Sequence, residues 1–207
     1  GISHDLRTPL ARLRLETEMS VADPMAREHM SADIEQVNAI IDKFLDYARP
    51  DHMKPEEVNL NEVIETALFA LGDDPKTVIK TRIEPALFVL GDPVELQRVF
   101  SNLLENASRY GRDPDSGVVQ IDIAAKAKDD SVLVKLRDHG RGVRPGMLEQ
   151  LTQPFFRGDA ARSDATGTGL GLAIVERAIT RMGGRFALAN SSTGGLAAHM
   201  KLRRSPG

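Results

Sequence analysis

"GTGLGLAIVERAI", residues 167–179, sets three glycines at alternate positions and runs directly into an amphipathic helical pattern. Bare backbone at such a junction leaves N–H groups at the positive end of a helix dipole, an arrangement suited to phosphate. The stretch is not a dinucleotide fingerprint, because Leu172 stands where G-x-G-x-x-G requires its last glycine. Nor does any Gly-Lys pair supply a Walker lysine. A flexible hinge would use the same glycines. The choice between hinge and anion site depends on what else the chain carries.

Two upstream segments carry matching chemistry. In "NLLENASRY", residues 102–110, Asn102 and Asn106 stand four apart and share a helix face, with Arg109 and Tyr110 one turn further on. Amide oxygens are hard neutral ligands, suited to Mg2+ already surrounded by phosphate and water. Arg109 can meet phosphate, and Tyr110 can pack on a base or ribose. Taken alone, two helical asparagines are more often surface residues. In "VLVKLRDHGRGV", residues 132–143, Val132, Val134 and Leu136 alternate along a strand that ends at Asp138. Gly140 and Gly142 follow, where backbone can approach a ligand closely. A carboxylate fixed at a strand end can accept a hydrogen bond from adenine's exocyclic amine, although a plain turn also reads "DHG". In this order, the three segments outline one nucleotide site.

The remaining pattern supplies the frame. Apolar residues at Ile2, Leu6, Leu10 and Leu13 predict a helix over 2–20, and Asp23-Pro24 caps a second over 24–49. Ile34, Val37, Ile41, Phe44 and Ala48 repeat at three and four, a heptad seam. Two helices enclose no core, so the pair is expected to join a second copy as a four-helix bundle. "ARPDHMKPEE" reads as the linker. This gives a helical hairpin over 1–53, a linker over 54–57 and a second domain over 58–207. The second domain shows helical periodicity at 60–72, 93–110 and 169–183. Strand alternation appears near 77–83, 86–90, 118–125, 131–138, 185–190 and 196–202. Short polar turns join two of the strand pairs as antiparallel hairpins. The fold class is therefore α+β, with an α/β sandwich whose mixed sheet is covered on one face by helices. Residues 139–168 fit no element except a short helical turn near 145–151, and a loop of that length reads as a lid.

Composition excludes several classes. A chain without cysteine has no disulfide and no thiolate metal site. A net charge of −3 gives no overall reason to expect nucleic acid or an anionic membrane, and the basic run at 201–204 reads as a solvated strand and tail. No apolar run is long enough to span a bilayer. The helical pattern begins mid-phase at Gly1, so the chain is expected to be part of a longer protein. His29, His52, His139 and His199 show no metal-ligand spacing and read as solvated side chains.

The chain opens "GISHDLRTPLARLRL", an ionisable His-Asp pair inside a helix that tolerates Pro9. With "NLLENA", "DHGRGV", "PFFRGD" and "GTGLGLAIV" downstream, the sequence resembles the core of a bacterial sensor histidine kinase over practically its whole length. It is most similar to the EnvZ-like osmosensor subfamily. The resemblance implies a dimerisation and histidine-phosphotransfer hairpin followed by a Bergerat-type ATP-binding domain. His4 would be the phosphoacceptor, with Asp5 and Thr8 assisting catalysis. ATP would be surrounded by Asn102, Asn106, Arg109, Tyr110, Asp138, Gly140, Gly142, Phe155, Arg157, Gly167, Thr168, Gly169, Leu170 and Gly171. Mg2+ would lie on Asn106, with Asn102 beside it. The implied partners are a second copy and a response-regulator receiver domain, without nucleic acid. The implied location is the cytoplasmic portion of an inner-membrane protein whose spanning segments lie outside these residues. Pro9 is expected to soften the helix below the histidine. The related gyrase- and Hsp90-type ATPases carry a water-activating glutamate four residues before the magnesium asparagine. Here that place is held by Asn102, which cannot act as a base.

Overall fold

The computed structural model describes residues 2–48, 53–72, 74–113, 115–157 and 167–205, with backbone alone for residues 2–5. The chain divides into two compact units, with the main division after Pro50. The first is a hairpin of α1 (Ile2–Ser20) and α2 (Pro24–Tyr47). Asp23 caps α2 by accepting the Met25 N–H at 3.0 Å, and Pro24 occupies the first helical position, where its missing N–H costs nothing. Three contacts fix the antiparallel register: Arg7 to Asp42 at 2.6 Å, Arg14 to Glu35 at 3.5 Å, and Ser31 to Glu18 at 3.4 Å. These polar pairs are exposed and hold register more than they add stability.

Little of the hairpin is buried. Among its described side chains only Thr17 is fully so, its hydroxyl donating to the Leu13 carbonyl at 2.8 Å. Along the expected seam Ile34 and Ile41 are half-buried, while Val37, Phe44 and Ala48 are exposed. Leu13, Leu15 and Met19 are exposed as well. The helices therefore leave a largely exposed apolar face. α1 runs unbroken through Pro9.

The second unit contains β1 (Glu56–Asn59), α3 (Leu60–Leu71), β2 (Thr77–Ile83), β3 (Phe88–Gly91) and α4 (Pro93–Tyr110). It continues with β4 (Val119–Lys128), β5 (Ser131–Asp138), a single-turn helix at Pro145–Gln150, α5 (Gly171–Arg181), β6 (Arg185–Asn190) and β7 (Leu196–Arg203). Five strands form one mixed sheet in the order β2-β4-β5-β7-β6, with β2 parallel to β4 and the other pairs antiparallel. Period-two alternation turns Ile121, Ile123, Val134, Leu136 and Met200 inward against α3, α4 and α5. Leu60, Ile64, Leu96, Val99 and Phe100 close the core from the helix side.

Most expected elements are present with ends moved by one to three residues. β1 is an addition: Glu56 and Glu57, assigned to the linker by sequence, pair with Gly91 and Leu90 of β3. Only Val58 of that strand is buried, so its charged half carries no strand signal. The expected strand at 86–90 starts later, because Ala86 takes a left-handed φ of 53° in the turn before β3.

Asp92 anchors the start of α4. Its Oδ1 accepts the Val94 and Glu95 N–H groups at 3.0 and 3.2 Å, and its Oδ2 accepts the Lys54 N–H at 3.1 Å. Replacing Asp92 by Ala is expected to lower domain stability by about 1–2 kcal/mol. Denaturant unfolding at equilibrium measures this, and an unchanged midpoint would refute the role.

Candidate active site

The site grows from the C-terminal end of β5. Asp138 ends that strand and is buried, its Oδ1 accepting the Gly140 N–H at 2.9 Å and the Leu196 N–H at 3.1 Å. Burial pushes its carboxyl above the ordinary value of 3.8, against the pull of the two N–H groups, His139 and Arg137. Three glycines make room for it. A Cβ at Gly195, where φ is +81°, would overlap the Asp138 carbonyl oxygen and lie 3.0 Å from its carboxyl. A Cβ on Gly111 would lie 2.5 Å from that of Asp138, and one on Gly140 would lie 2.5 Å from the Tyr110 carbonyl oxygen. Contacts that short admit no side chain. The end of α4 and the turn before β7 are thereby packed on one carboxylate.

The loop after Asp138 is tied to β6. Asn190 accepts the Val143 N–H at 3.0 Å and donates to the Val143 carbonyl at 2.6 Å, a two-point clamp on the loop backbone. Gly142, at φ +67°, leaves space for this, since a Cβ there would lie 2.8 Å from the Asn190 oxygen. His139 departs from the expectation of a solvated side chain: its Nε2 meets the Asp122 carboxylate at 2.7 Å. Partial burial works to raise the Asp122 carboxyl, but the His139 bond and charge outweigh it and hold that group low. His29 and His199 are exposed as expected, and His52 lies outside the described residues.

α4 carries both asparagines, and its C-cap Gly111 meets Asp138. Asn102 is buried and donates to the Arg98 carbonyl at 2.8 Å, the next turn down. Its oxygen lies 3.3 Å from where a Cβ on Gly171 would stand, so the first residue of α5 sits directly against Asn102. Asn106 is partly exposed one turn on, and Arg109 pairs with Glu105 at 3.2 Å. Tyr110 is the last residue of α4 and more than one-third exposed.

The glycine-rich segment and the Phe155 region form a second contact. Gly169, at φ +69°, accepts the Phe155 N–H through its carbonyl at 2.9 Å, and a Cβ on it would lie 2.7 Å from the Phe156 carbonyl. Phe155 is itself left-handed at φ 65° and its ring is exposed, while Arg157 is half-buried. Leu170 is fully buried, which roots the segment in the domain. Gly167 and Thr168 are partly exposed. Among the described residues no side-chain cap is seen on α5, whose first turn follows these glycines.

Of the expected catalytic residues, His4 and Asp5 lie on α1, but their side chains are outside the described residues. Thr8 is exposed on the same helix, one turn later. The structure adds Gly111, Asn190, Gly195 and Leu196 to the site. Nothing in the sequence marked them, because "TGG" reads as an ordinary turn and a backbone N–H has no sequence signature. Among the described residues no cluster of three His, Asp or Glu could hold a metal, so a cation near α4 would depend on amide oxygens and on its own ligands.

This arrangement has known counterparts. Residues 91–206 match the family model described as histidine kinase-, DNA gyrase B- and HSP90-like ATPase, and residues 1–52 match the phosphoacceptor domain of histidine kinases. The chain belongs to the sensor histidine kinase family. Among curated relatives of this kinase family, the sensor protein RstB of Escherichia coli K12 is 36% identical over 204 residues, covering 94% of this chain and 46% of RstB. The chain thus spans about half the length of the curated relatives it matches. The histidine kinase domain of the E. coli osmosensor EnvZ is 31% identical with a TM-score of 0.56, over 76% of this chain and 94% of that domain. Full-length ShkA in complex with AMPPNP superposes over 99% of this chain and 45% of its own, at a TM-score of 0.74 and 20% identity, a likeness of fold.

Asp138 yields a prediction with a definite sign. Its carboxyl is raised in the folded domain, so the fold binds a proton more readily than the unfolded chain, and stability falls as pH rises through the raised value. Asn at this position keeps an oxygen for the Gly140 and Leu196 N–H groups without a buried charge. Asp138→Asn is therefore expected to be at least as stable as the parent at pH 7, by up to about 1–2 kcal/mol. That advantage should shrink as pH falls toward 4. Thermal melts across this range test it, and a variant less stable at pH 7 than at pH 4, relative to the parent, would contradict it.

Proposed function

We propose that this kinase core binds MgATP at the Asp138 end of the sheet and phosphorylates its own His4. The contact of Asn102 with the start of α5, on the helix whose C-cap Gly111 packs against Asp138, supports the reading. The ShkA complex with AMPPNP shows a nucleotide analogue carried by a protein of the same fold. The fit is chemical as well as topological: a buried acceptor suits the adenine amine, partly exposed Asn106 offers an amide oxygen to a cation, and the positive end of the α5 dipole suits phosphate. MgATP supplies the transferable γ-phosphoryl group.

The chain's own residues do the rest. Neutral His4 gives a ring-nitrogen lone pair to the γ-phosphorus as the bond to the bridging oxygen breaks and ADP departs. Asp5 holds the other ring N–H and takes up its proton. Arg109 and the N–H groups before α5 balance charge on the phosphate oxygens. Asn102 in place of a glutamate leaves water without a base, which directs the phosphoryl group to histidine rather than to solvent. The labile P–N bond then suits transfer to an aspartate of a receiver domain. Thr8, on the face of His4 and exposed, orients water for the reverse task of dephosphorylating that partner. The hairpin's exposed seam at Val37 and Phe44 is covered by a second copy. Similarity to the EnvZ domain supports an osmosensor-like subfamily, with this core on the cytoplasmic side of a membrane-anchored sensor.

Incubation with γ-labelled ATP and Mg2+ is expected to give acid-labile, base-stable label on the protein, reduced to background in His4→Ala. Thr8→Ala should retain at least half of that labelling while slowing release of phosphate from a phosphorylated receiver domain roughly tenfold or more. Label that survives His4→Ala, or free phosphate without labelled protein, would overturn the histidine assignment.

A further inference from the structure

The face of the sheet turned away from the helices carries a charge pattern that the net charge of the chain conceals. Register places Lys80 and Arg82 of β2, Lys126 and Lys128 of β4, Lys135 and Arg137 of β5, Lys201 and Arg203 of β7, and Arg185 of β6 on that one face. Four strands thus repeat the same basic-x-basic pair, which period two turns to a single side. Nine of the chain's 27 lysines and arginines lie there, against one carboxylate, Asp122. That carboxylate is already bonded to His139. All nine except Arg137 are exposed, and Arg137 bonds Thr193 and the Gly194 carbonyl. Among the described residues none of the other eight has a salt bridge within its own domain.

The arrangement costs stability. Arg185 stands directly opposite Lys201, so like charges face one another across β6 and β7. At the β6–β7 end, Arg185, Lys201, Arg203 and Arg204 line a depression of about 400 Å³, with Asp130 at its rim. This lies at the start of β5, at the opposite end from Asp138.

We propose that this face docks on an anionic lipid surface. Four strand spacings of about 4.8 Å make the basic field about 20 Å wide. Its outward positions include no aromatic side chain, and its only large apolar residues are Val78 and Leu133. A protein partner would call for aromatic anchors seated among apolar side chains, and lysine is depleted in such interfaces. Single-stranded nucleic acid calls for stacking platforms, and duplex DNA for an element narrow enough to enter a groove about 12 Å wide. A broad, lysine-rich field without aromatic anchors suits headgroup phosphates, which attract each cation independently and through the salt-screened field of the leaflet. The inference is independent of the nucleotide site.

The test is co-sedimentation of the 207-residue protein with vesicles of phosphatidylcholine alone or with added phosphatidylglycerol. Binding is expected only to the anionic vesicles, and to fall steeply with added salt. R185E/K201E/R203E should weaken it at least a hundredfold, from about fivefold per cation removed and more for each charge reversed. ATP binding should be unchanged. All three positions are exposed on the strands, so the variant is expected to stay folded. A second set on other strands, K80Q/K126Q/K135Q, should weaken binding about a hundredfold if the whole face takes part. Failure to bind anionic vesicles, or binding unmoved by both sets, would overturn the proposal. Tighter binding to duplex DNA or an acidic protein than to the vesicles would overturn it in favour of that partner.

Discussion

A buried carboxylate organises the second domain. Asp138 is taken out of water at the end of a central strand, where its charge is costly and its acceptor capacity is only partly used by the Gly140 and Leu196 N–H groups. Glycine at 111, 140 and 195 follows from that placement, because a side chain at any of them would push into Asp138 or into the backbone beside it. Those glycines bring the end of α4 and the β6–β7 turn together. A domain assembled only for stability would place an amide or an apolar residue here. The proposed adenine would donate to this carboxylate.

The two units solve the burial problem differently. The domain closes one core between sheet and helices, so its site is held by rigid elements: α4 fixes Asn102, α5 begins against it, and β5 delivers Asp138. The hairpin closes nothing. Its cross-helix polar pairs set register but leave Val37, Phe44, Leu13 and Met19 at the surface. A second copy would cover such a seam and leave the outer faces, including that of Thr8, available to partners.

Local signals made much of this legible. Helical periodicity located α1 to α5 and strand alternation located the five sheet strands, because each element buries one regular face. The cap at Asp23 and the Pro24 start were readable for the same reason. β1 was not, since Glu56 and Glu57 pair only through backbone. The parallel pairing of β2 with β4 depends on a crossover through β3 and α4, which no short motif records. The site divides in the same way. Asn102, Asn106, Asp138 and the glycines before α5 are chemistry-bearing types at telling spacings. Gly195, Leu196 and Asn190 act through a missing side chain, a backbone N–H and a long-range clamp. The His139–Asp122 bond likewise joins residues that only strand register makes neighbours.

The central claim is that Asp138 accepts a hydrogen bond from the exocyclic amine of adenine. Calorimetric titration of the protein with ATP and with inosine triphosphate, which carries a carbonyl in place of that amine, tests it most directly. The account predicts that ATP binds at least about tenfold more tightly, since the swap sets a carbonyl against a buried acceptor. Equal affinity for the two nucleotides would contradict it.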